Sequence, residues 1–386
     1  MSNSAQQTAS APGNERLVSL DAFRGLTIMA MILVNNPGTW SAVYPPLRHA
    51  DWHGWTPTDL IFPFFVFMVG VSIVFSLQKR LASGASKLAL SGKVVWRAFA
   101  IFLIGMLLPI ILHGLPNGID QIRFCGVLSR IAVVFLIGGL IFIYTRPRFQ
   151  VFLCLLFLVG YWLCMTKIPT PGSDGKIMLE PGNNLAAWID AKVMPFGKFY
   201  HRKDLPEGSI AWDPEGPFST IPALATCLTG IFAGLLLRNR EKSQERKVII
   251  LFFSGFLLLV GSYLGGLCFP INKPLWSSSY VLLTSGFACT ILAACVYFID
   301  ILGHKRILYP AVVFGSNAIM MFCLSTILAG LIFYGGYLRF NIEMMTVITK
   351  TGYSKEFASL WYAVFFLVVN FIPAWLLYHF RIFVRV

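Results

Sequence analysis

A short segment near residue 50 carries His49, Asp51, His53 and Asp59. A carboxylate beside a histidine fixes the tautomer of the imidazole and stabilises the imidazolium, so His49 with Asp59 is the minimum apparatus for general-base catalysis. If the segment is helical, His49 and His53 at i, i+4 could also bind a metal, but no further histidine or cysteine cluster supplies the remaining ligands. A third interpretation is structural, with the histidines capping a loop at a membrane surface. General-base chemistry is the functional hypothesis, and no metal is expected.

The first apolar stretch contains two charges that a membrane segment normally excludes. Asp21 and Arg24 are three residues apart, which places them on one helix face and allows an ion pair. Because a charge inside a membrane normally faces a bundle interior or a wet cavity, this pair is a functional candidate. A pair that only fixes helix packing is the alternative. Arg97 and Arg130 lie at the ends of later apolar stretches; snorkelling explains Arg97, whereas Arg130 shares a helix face with Arg123.

Weaker polar signals occur at three further places in the chain: DPEG at 213–216, PINKPLW at 270–276, and Asn317 within an apolar run. Turn chemistry explains most of the first two without any function, and a hydrogen bond to another helix explains Asn317. The first two fall on the same predicted face as His49. Together these signals predict a polar cavity that opens outward among the membrane helices.

These residues lie in a chain whose composition is typical of a membrane protein. It has 386 residues, of which 56% are hydrophobic and 12% charged, and its mean hydropathy is +0.71. This composition excludes an ordinary soluble domain. The formal charge of +14 comes from short basic clusters between apolar runs, which indicates membrane topology rather than nucleic-acid binding. The eight cysteines include no C-x-x-C pair, so neither a disulfide framework nor a zinc site is predicted.

Apolar stretches of about 20 residues can cross a bilayer as helices, because a backbone in lipid must satisfy its own hydrogen bonds. The stretches are 17–36, 59–78, 94–112, 126–145, 149–165, 217–237, 248–267, 277–299, 307–332 and 357–380. We therefore predict an all-α, polytopic membrane helix bundle of about ten transmembrane helices with one longer loop. That loop, 166–216, should be a Pro/Gly-rich cap with one short helix near 184–194.

Basic residues in the short loops predict the orientation of the bundle. If the N-terminus is cytoplasmic, sixteen of these residues fall on the cytoplasmic side and six on the other. This asymmetry predicts that both termini are cytoplasmic and that the loop 166–216 is outside. The first 15 residues are small and polar. We expect a disordered cytoplasmic tail, 1–15, followed by a single transmembrane domain, 16–386.

Five blocks of residues form a recognisable series along the chain. They are RLVSLDAFRG at 16–25, HAxWxGxTxxDLxFP at 49–63, GVLxR at 126–130, DPEG at 213–216 and PINKxLW at 270–276. In order and spacing they resemble the heparan-alpha-glucosaminide N-acetyltransferase family and its bacterial NagX-like relatives. Without the N-terminal luminal region and leading helix of the animal enzyme, the chain resembles the compact bacterial form. The resemblance implies a multi-pass protein of a bacterial inner membrane.

The resemblance also implies a reaction, in which acetyl is taken from cytoplasmic acetyl-CoA and delivered to the amine of a glucosamine on the other side of the membrane. By motif match, His49 is the catalytic histidine, Asp59 the carboxylate ten residues later, and Asn35 the asparagine that ends the first shared helix, with Asn36 as its rival. Asn35 could donate to the developing oxyanion. An acetyl-histidine intermediate and direct transfer both stay open at this point.

Two sets of ligand contacts are predicted. Phosphate contacts to acetyl-CoA come from the cytoplasmic side, and the predicted cofactor-binding residues are Arg24, Asp21, Arg97 and Arg238. The predicted substrate-binding residues are Trp52, Arg123, Arg130, Glu215, Asn272 and Trp276. No metal and no nucleic acid are expected as partners, and a homodimer is left open.

This pattern is compatible with three functions. The predicted function is that of an acetyl-CoA-dependent amino-sugar N-acetyltransferase. The alternatives are an amino-sugar transporter, which ten helices around a polar cavity would also suit, and a glycan O-acetyltransferase. Broken helices at mid-membrane would favour the transporter, whereas a His/Asp/Asn set at one short outer loop favours the enzyme.

Overall fold

The computed structural model describes residues 17–114, 122, 124–194, 199–200, 209–330 and 339–384. The predicted tail 1–15 and Arg123 lie outside these residues. Regular structure in the described part is almost entirely helical, with one small antiparallel hairpin formed by β1 (Leu179–Glu180) and β2 (Asn183–Asn184). The prediction of an all-α bundle is therefore confirmed.

The described residues form thirteen α-helices. They are α1 (Val18–Asn35), α2 (Ile61–Ala82), α3 (Lys87–His113), α4 (Val127–Tyr144), α5 (Pro147–Lys167), α6 (Leu185–Val193), α7 (Thr220–Arg238), α8 (Gln244–Gly266), α9 (Ser278–Cys295), α10 (Tyr309–Ser316), α11 (Ala318–Leu328), α12 (Phe340–Lys350) and α13 (Lys355–His379). Short 3-10 turns occupy Pro45–Leu47 and Pro57–Leu60, and a π-helical turn, Val296–Ile301, continues α9.

Most of these helices suit a bilayer. Within the described residues, nine helices are long and apolar enough to cross a membrane, and the bent pair α10–α11 raises the number to ten if it counts as one crossing. Each predicted apolar stretch except the ninth coincides with one of the nine. The short helix predicted near 184–194 is α6, which begins after Asn184, whose side chain accepts a hydrogen bond from the backbone N–H of Ala187.

The prediction of one continuous helix over 307–332 was wrong. The chain bends by 88° between α10 and α11, at Asn317. The side-chain amide of Asn317 donates to the carbonyl of Ile382 (2.9 Å) and accepts from the backbone N–H of Val384 (2.8 Å). Irregular backbone is tolerated at membrane depth where it is buried in protein or lines a cavity, and Asn317 meets both conditions. A broken helix is therefore present, and helix continuity no longer separates the enzyme from the transporter.

The structure adds one helix that the apolar stretches did not predict. It is α12, which packs against α13 and has no buried residue. Its apolar side chains Ile342 and Val347 are largely exposed. With eleven residues it is too short to span a membrane, so a search for long apolar runs passes over it.

Glycine pairs allow the central helices to touch backbone to backbone. Gly25 of α1 lies against the carbonyl of Ala311 on α10, and Gly315 of α10 lies against the carbonyl of Asp21 on α1. The α2–α7 contact is built in the same way from Gly70 and Gly230. Small residues of this kind are the usual device by which membrane helices approach closely, because lipid provides no hydrophobic force between helices.

The loops divide between two ends of the bundle. At one end, the backbone N–H of Gly54 donates to the carbonyl of Ile271 (2.8 Å), and that of Gly38 donates to the carbonyl of Ser359 (3.2 Å). These contacts gather the start of α13 and the loops after α1 and α8. We call this end, which carries His49, the histidine end, and the end at which α1 begins the opposite end.

The α1–α10 contact yields a stability prediction. Gly25→Ala should destabilise the protein by about 1–3 kcal/mol, because the added methyl overlaps the Ala311 carbonyl and backbone cannot move aside as a side chain can. Gly92→Ala on α3 is the matched control, since nothing lies within contact distance of its added methyl. Thermal unfolding of both variants in detergent, followed by tryptophan fluorescence, measures the effect. Equal melting temperatures would contradict the tight contact.

Candidate active site

Asp59 is held at the start of α2 by the turn that precedes the helix. Thr56 and Asp59 form a reciprocal capping box around Pro57–Leu60. Oδ2 of Asp59 accepts hydrogen bonds from the backbone N–H groups of Ala50 and Thr56, each at 3.0 Å. The side chain of Asp59 is only 1% exposed. Its position is therefore fixed by bonds to the same loop that carries His49.

His49 completes a pair with this buried carboxylate. Its Nδ1 lies 2.6 Å from Asp59 Oδ1, and its side chain is 50% exposed. With Nδ1–H donating to the carboxylate, Nε2 is left as the basic nitrogen of an accessible ring. The predicted approach of these two residues is present. By contrast, the segment around His53 is not helical, so the i, i+4 geometry that a metal would require is absent there.

Lys273 is the residue of this site that the sequence analysis missed. Its Nζ lies 3.0 Å from His49 Nδ1, 3.4 Å from His49 Nε2 and 3.3 Å from Asp59 Oδ1. Burial lowers the pKa of Lys273 below the usual lysine range, and the charges of Asp59 and Glu215 offset part of this effect. A signal was available, since Lys273 is the one basic residue in the loop between α8 and α9. Nothing in the sequence indicates its partner, 224 residues away.

Two predicted substrate contacts, Asn272 and Trp276, are buried supports of the loop. Asn272 is fully buried, and its amide donates to the carbonyl of Trp52 (2.9 Å) and accepts from the N–H of Leu275 (2.8 Å). The indole N–H of Trp276 donates to Thr226 Oγ1 at 3.1 Å, and its ring is 1% exposed. The structure does not bring either side chain to an accessible surface. Contact of these two residues with substrate therefore stays a prediction.

Arg130 is also buried, at the first turn of α4. Its guanidinium lies over the ring of Trp276, 4.9 Å from the centroid. Nη2 donates to the carbonyl of Gly216 at 3.0 Å and to the hydroxyl of Ser219. Arg130 thus joins α4 to the segment that leads into α7. Its predicted partner on the same helix face, Arg123, lies outside the described residues.

Trp52 and Glu215 differ from the residues just described because both are only half-buried. The indole N–H of Trp52 donates to the carbonyl of Leu179 (3.0 Å) in the loop 166–216, and its ring packs edge-on against Trp212. Glu215 is half-buried, and its charge acts on Lys273. Trp52 belongs to the loop that carries His49, and Glu215 lies in the segment before α7. They are the predicted substrate contacts that the structure leaves partly accessible.

Asn35 faces a different space from the His49–Asp59 pair. It is exposed and, with Asn36, lines a cavity of about 470 Å³ at the histidine end. Leu112, Val127 and Ser325 are among the other residues that line it. The amide of Asn36 donates to the carbonyl of Ile32 (2.8 Å) within its own helix. The described contacts do not join Asn35 to His49, and its catalytic role stays a prediction.

Arg24 and Arg97, two predicted cofactor contacts, meet at a second cavity. This cavity, of about 360 Å³, lies toward the opposite end and is also lined by Asn317 and Phe65. Arg24 is paired with Asp21, as the spacing predicted, and the Arg97 guanidinium lies over the ring of Phe135 at 5.2 Å. Two cations therefore line a mainly apolar cavity between helices.

Arg238, the fourth predicted cofactor contact, is placed elsewhere. It stacks on Phe75 at 5.5 Å and donates to the carbonyl of Phe75 at 3.3 Å. With Lys79 and Arg240 it lines a separate cavity between α2 and α7. The structure therefore separates Arg238 from the cavity of Arg24 and Arg97.

The cavities follow one another along α11. Ala318 and Ile319 line the cavity of the two arginines, and Phe322 and Ser325, about one and two turns further on, line the cavity of Asn35. Phe65 of α2, at the cavity of the two arginines, is six residues from Asp59 in the turn just before this helix, which corresponds to about 9 Å of helix rise. The interior spaces thus extend from the two arginines toward the histidine end.

The amino-acid sequence of this chain is similar to that of known proteins. Residues 16–191 match the family model described as heparan-alpha-glucosaminide N-acetyltransferase, catalytic. The chain is 30% identical over 357 residues to the human protein of that name and 31% identical over 356 residues to the mouse protein. Each match covers 80% of this chain, and the chain spans about half the length of these curated relatives, 52% and 53%. The region matched by the family model includes both His49 and Asp59, and these matches support the heparan-alpha-glucosaminide N-acetyltransferase family for this chain.

Proposed function

We propose that the protein is a membrane-embedded acetyltransferase that moves acetyl from cytoplasmic acetyl-CoA to the amine of a glucosamine-type sugar on the other side of the membrane. The observation that carries the proposal is the accessible imidazole of His49, 2.6 Å from the buried carboxylate of Asp59. The human and mouse relatives are named as heparan-alpha-glucosaminide N-acetyltransferases, which is the basis for proposing acetyl as the transferred group and a glucosaminide as the acceptor class. As in the resemblance to NagX-like proteins, the membrane proposed is a bacterial inner membrane.

His49 acts as the general base in this proposal. The sugar nitrogen attacks the thioester carbonyl, a C–N bond forms and the C–S bond breaks. The proton leaves the amine for Nε2 of His49 and passes from there to the departing thiolate, so charge and atoms balance. Asp59 stabilises the imidazolium through the Nδ1 hydrogen bond. Asn35 is proposed to donate to the developing oxyanion.

The cavity of Arg24 and Arg97 is proposed to hold the donor. Acetyl-CoA carries several phosphate charges and cannot enter hydrocarbon, so its phosphates must stay near the cytoplasm while the acetyl arm passes between the helices. The two arginines that line this cavity suit the phosphates, and its mainly apolar walls suit the pantetheine arm. The cavities along α11 provide room in the direction of the histidine. Arg238 would contact the donor only beyond this cavity, at the cytoplasmic surface.

The acceptor is proposed to bind at the histidine end, between Trp52 and Glu215. A tryptophan ring offers a sugar its apolar face, and a carboxylate attracts an amine. Transport of an amino sugar is the second candidate, because the broken pair α10–α11 beside a cavity resembles the discontinuous helices of transporters. An O-acetyltransferase would use the same base with a hydroxyl acceptor. A homodimer stays open as a partner state.

The general-base role is tested by replacing His49. His49→Ala should lower acetyl transfer at least 100-fold, within the range of about 10²–10⁴ that general bases contribute, with folding and CoA binding retained. His53→Ala is the matched control and should cost much less. The measurement is acetyl-CoA turnover by purified protein against glucosamine, muramyl sugars and chitosaccharides. Near-normal turnover by the His49 variant would remove the assignment, and uptake without acetylated product would favour the transporter.

Sidedness is tested with engineered cysteines. In a Cys268→Ser background, which removes an exposed native thiol, Lys176→Cys should react with an impermeant maleimide in intact cells. Glu241→Cys, at an equally exposed position between α7 and α8, should react only after the cells are opened. The reason is the excess of basic residues predicted on the cytoplasmic side. Reversed labelling would place His49 inside and remove the case for transfer across the membrane.

The order of steps is tested without acceptor. We propose direct transfer, because an acetyl-imidazole at an accessible ring would hydrolyse and waste donor, and because Asp59 suits an imidazolium formed by proton abstraction. Intact-protein mass spectrometry after incubation with acetyl-CoA alone should then find no stoichiometric adduct. An adduct of about 42 Da, one acetyl group, that is lost in His49→Ala and discharged by glucosamine would establish a covalent route instead.

A further inference from the structure

Lys273 touches both members of the His49–Asp59 pair and has no part in the steps described above. Its Nζ is 3.0 Å from the imidazole Nδ1 and 3.3 Å from the carboxylate Oδ1. Its side chain is 19% exposed, whereas an ordinary loop lysine extends into water. Withdrawing an ammonium from water is costly unless its charge is compensated. Because Asp59 compensates its charge, Lys273 is held as a member of this site.

The loop that carries Lys273 is tied on both sides. The carbonyl of Lys273 accepts from the N–H of Trp276 at 2.9 Å, and Trp276 has a left-handed φ of 51°. A bulky residue rarely adopts this conformation, which persists only where the surroundings enforce it. On the other side, Asn272 binds the carbonyl of Trp52, and Ile271 binds the N–H of Gly54. These contacts hold Lys273 against the loop that carries His49.

The imidazole of His49 lies beside one negative charge, on Asp59, and one positive charge, on Lys273. Asp59 alone, buried beside the imidazole, would favour the imidazolium and so occupy the base with a proton. Lys273 adds a positive charge 3.0 Å from Nδ1, whereas the carboxylate oxygen lies 2.6 Å from it, and this positive charge opposes that proton. The Lys273–Asp59 ion pair therefore places opposite charges against the same imidazole.

We propose that Lys273 is a positioning residue that keeps His49 unprotonated and ready to accept the amine proton, and this rests on the proposed function of His49 as the base. The imidazolium formed during transfer is acidic for the same reason, which favours return of its proton to the leaving thiolate. Lys273 is the one basic side chain for which a contact with the His49 ring is described, although other titratable or charged groups lie near the site. They are Arg48, Asp51 and His53 in the same loop, Glu215 before α7, and Tyr280 of α9, whose hydroxyl donates to the Asp59 carbonyl.

The test measures the protonation of His49 directly. Diethyl pyrocarbonate modifies unprotonated imidazole, and peptide mass spectrometry gives the modification rate of His49 at each pH in the full-length protein in detergent. In Lys273→Met the midpoint of this pH dependence should move upward by about one to two units, because the carboxylate then acts without the opposing cation. Lys273→Arg keeps the charge and should stay close to the native midpoint. Lys176→Met, an exposed lysine, and the exposed His304 serve as controls.

The acid limb of the pH–rate profile for acetyl transfer to glucosamine should move in the same direction as the modification midpoint and by the same amount. A lysine that only supports the fold would lower the rate without moving either midpoint, and that result would overturn the proposal. Lys273→Gln repeats the test if the methionine variant does not fold. If the modification midpoint moves but no acceptor is acetylated by the native protein, the role of Lys273 stands and the proposed function fails. If the native protein acetylates glucosamine but the midpoint does not move in Lys273→Met, the proposed function stands and the role of Lys273 fails.

Discussion

A buried carboxylate must have its charge compensated, and Asp59 meets this demand at the start of α2 by drawing four segments together. Its Oδ2 accepts hydrogen bonds from backbone N–H groups of the loop after α1, and its Oδ1 contacts His49 and pairs with Lys273. Its backbone carbonyl accepts the hydroxyl of Tyr280 on α9 at 2.5 Å. The histidine end is consequently organised around one side chain. Removing that charge would release the loops that present both the histidine and the lysine.

The second constraint is that a bundle with a polar interior must still be held together within lipid. The glycine contacts of α1 with α10 and of α2 with α7 bring backbones together on one side of each helix. Cavities can then exist on other sides without loss of cohesion. The break at Asn317 belongs to the same solution, because the side-chain amide of Asn317 is hydrogen-bonded to Ile382 and Val384 and lines an interior cavity.

These two constraints place opposite chemistry at opposite ends. The cations Arg24 and Arg97 lie in the interior toward one end, and the base lies at the other. A charged nucleotide donor and a sugar acceptor could each remain in its own aqueous compartment, with only the reactive arm inside the bundle. The human and mouse relatives are named as heparan-alpha-glucosaminide N-acetyltransferases, and the proposal of transfer across the membrane joins that activity to the separation of the two ends.

The local sequence determined the features that depend on neighbouring residues. Long apolar runs predicted nine of the helices, the i, i+3 spacing predicted the Asp21–Arg24 pair, and the spacing in one loop indicated His49 with Asp59. Tertiary structure alone decided that Lys273 joins that pair, that Arg238 is separate from Arg24 and Arg97, that Asn35 faces another cavity, and that the chain breaks at Asn317. Hydropathy reports the free energy of transfer into lipid, which is nearly the same whichever helices become neighbours. Close packing and the pairing of buried charges choose the neighbours, and both depend on residues far apart in the chain.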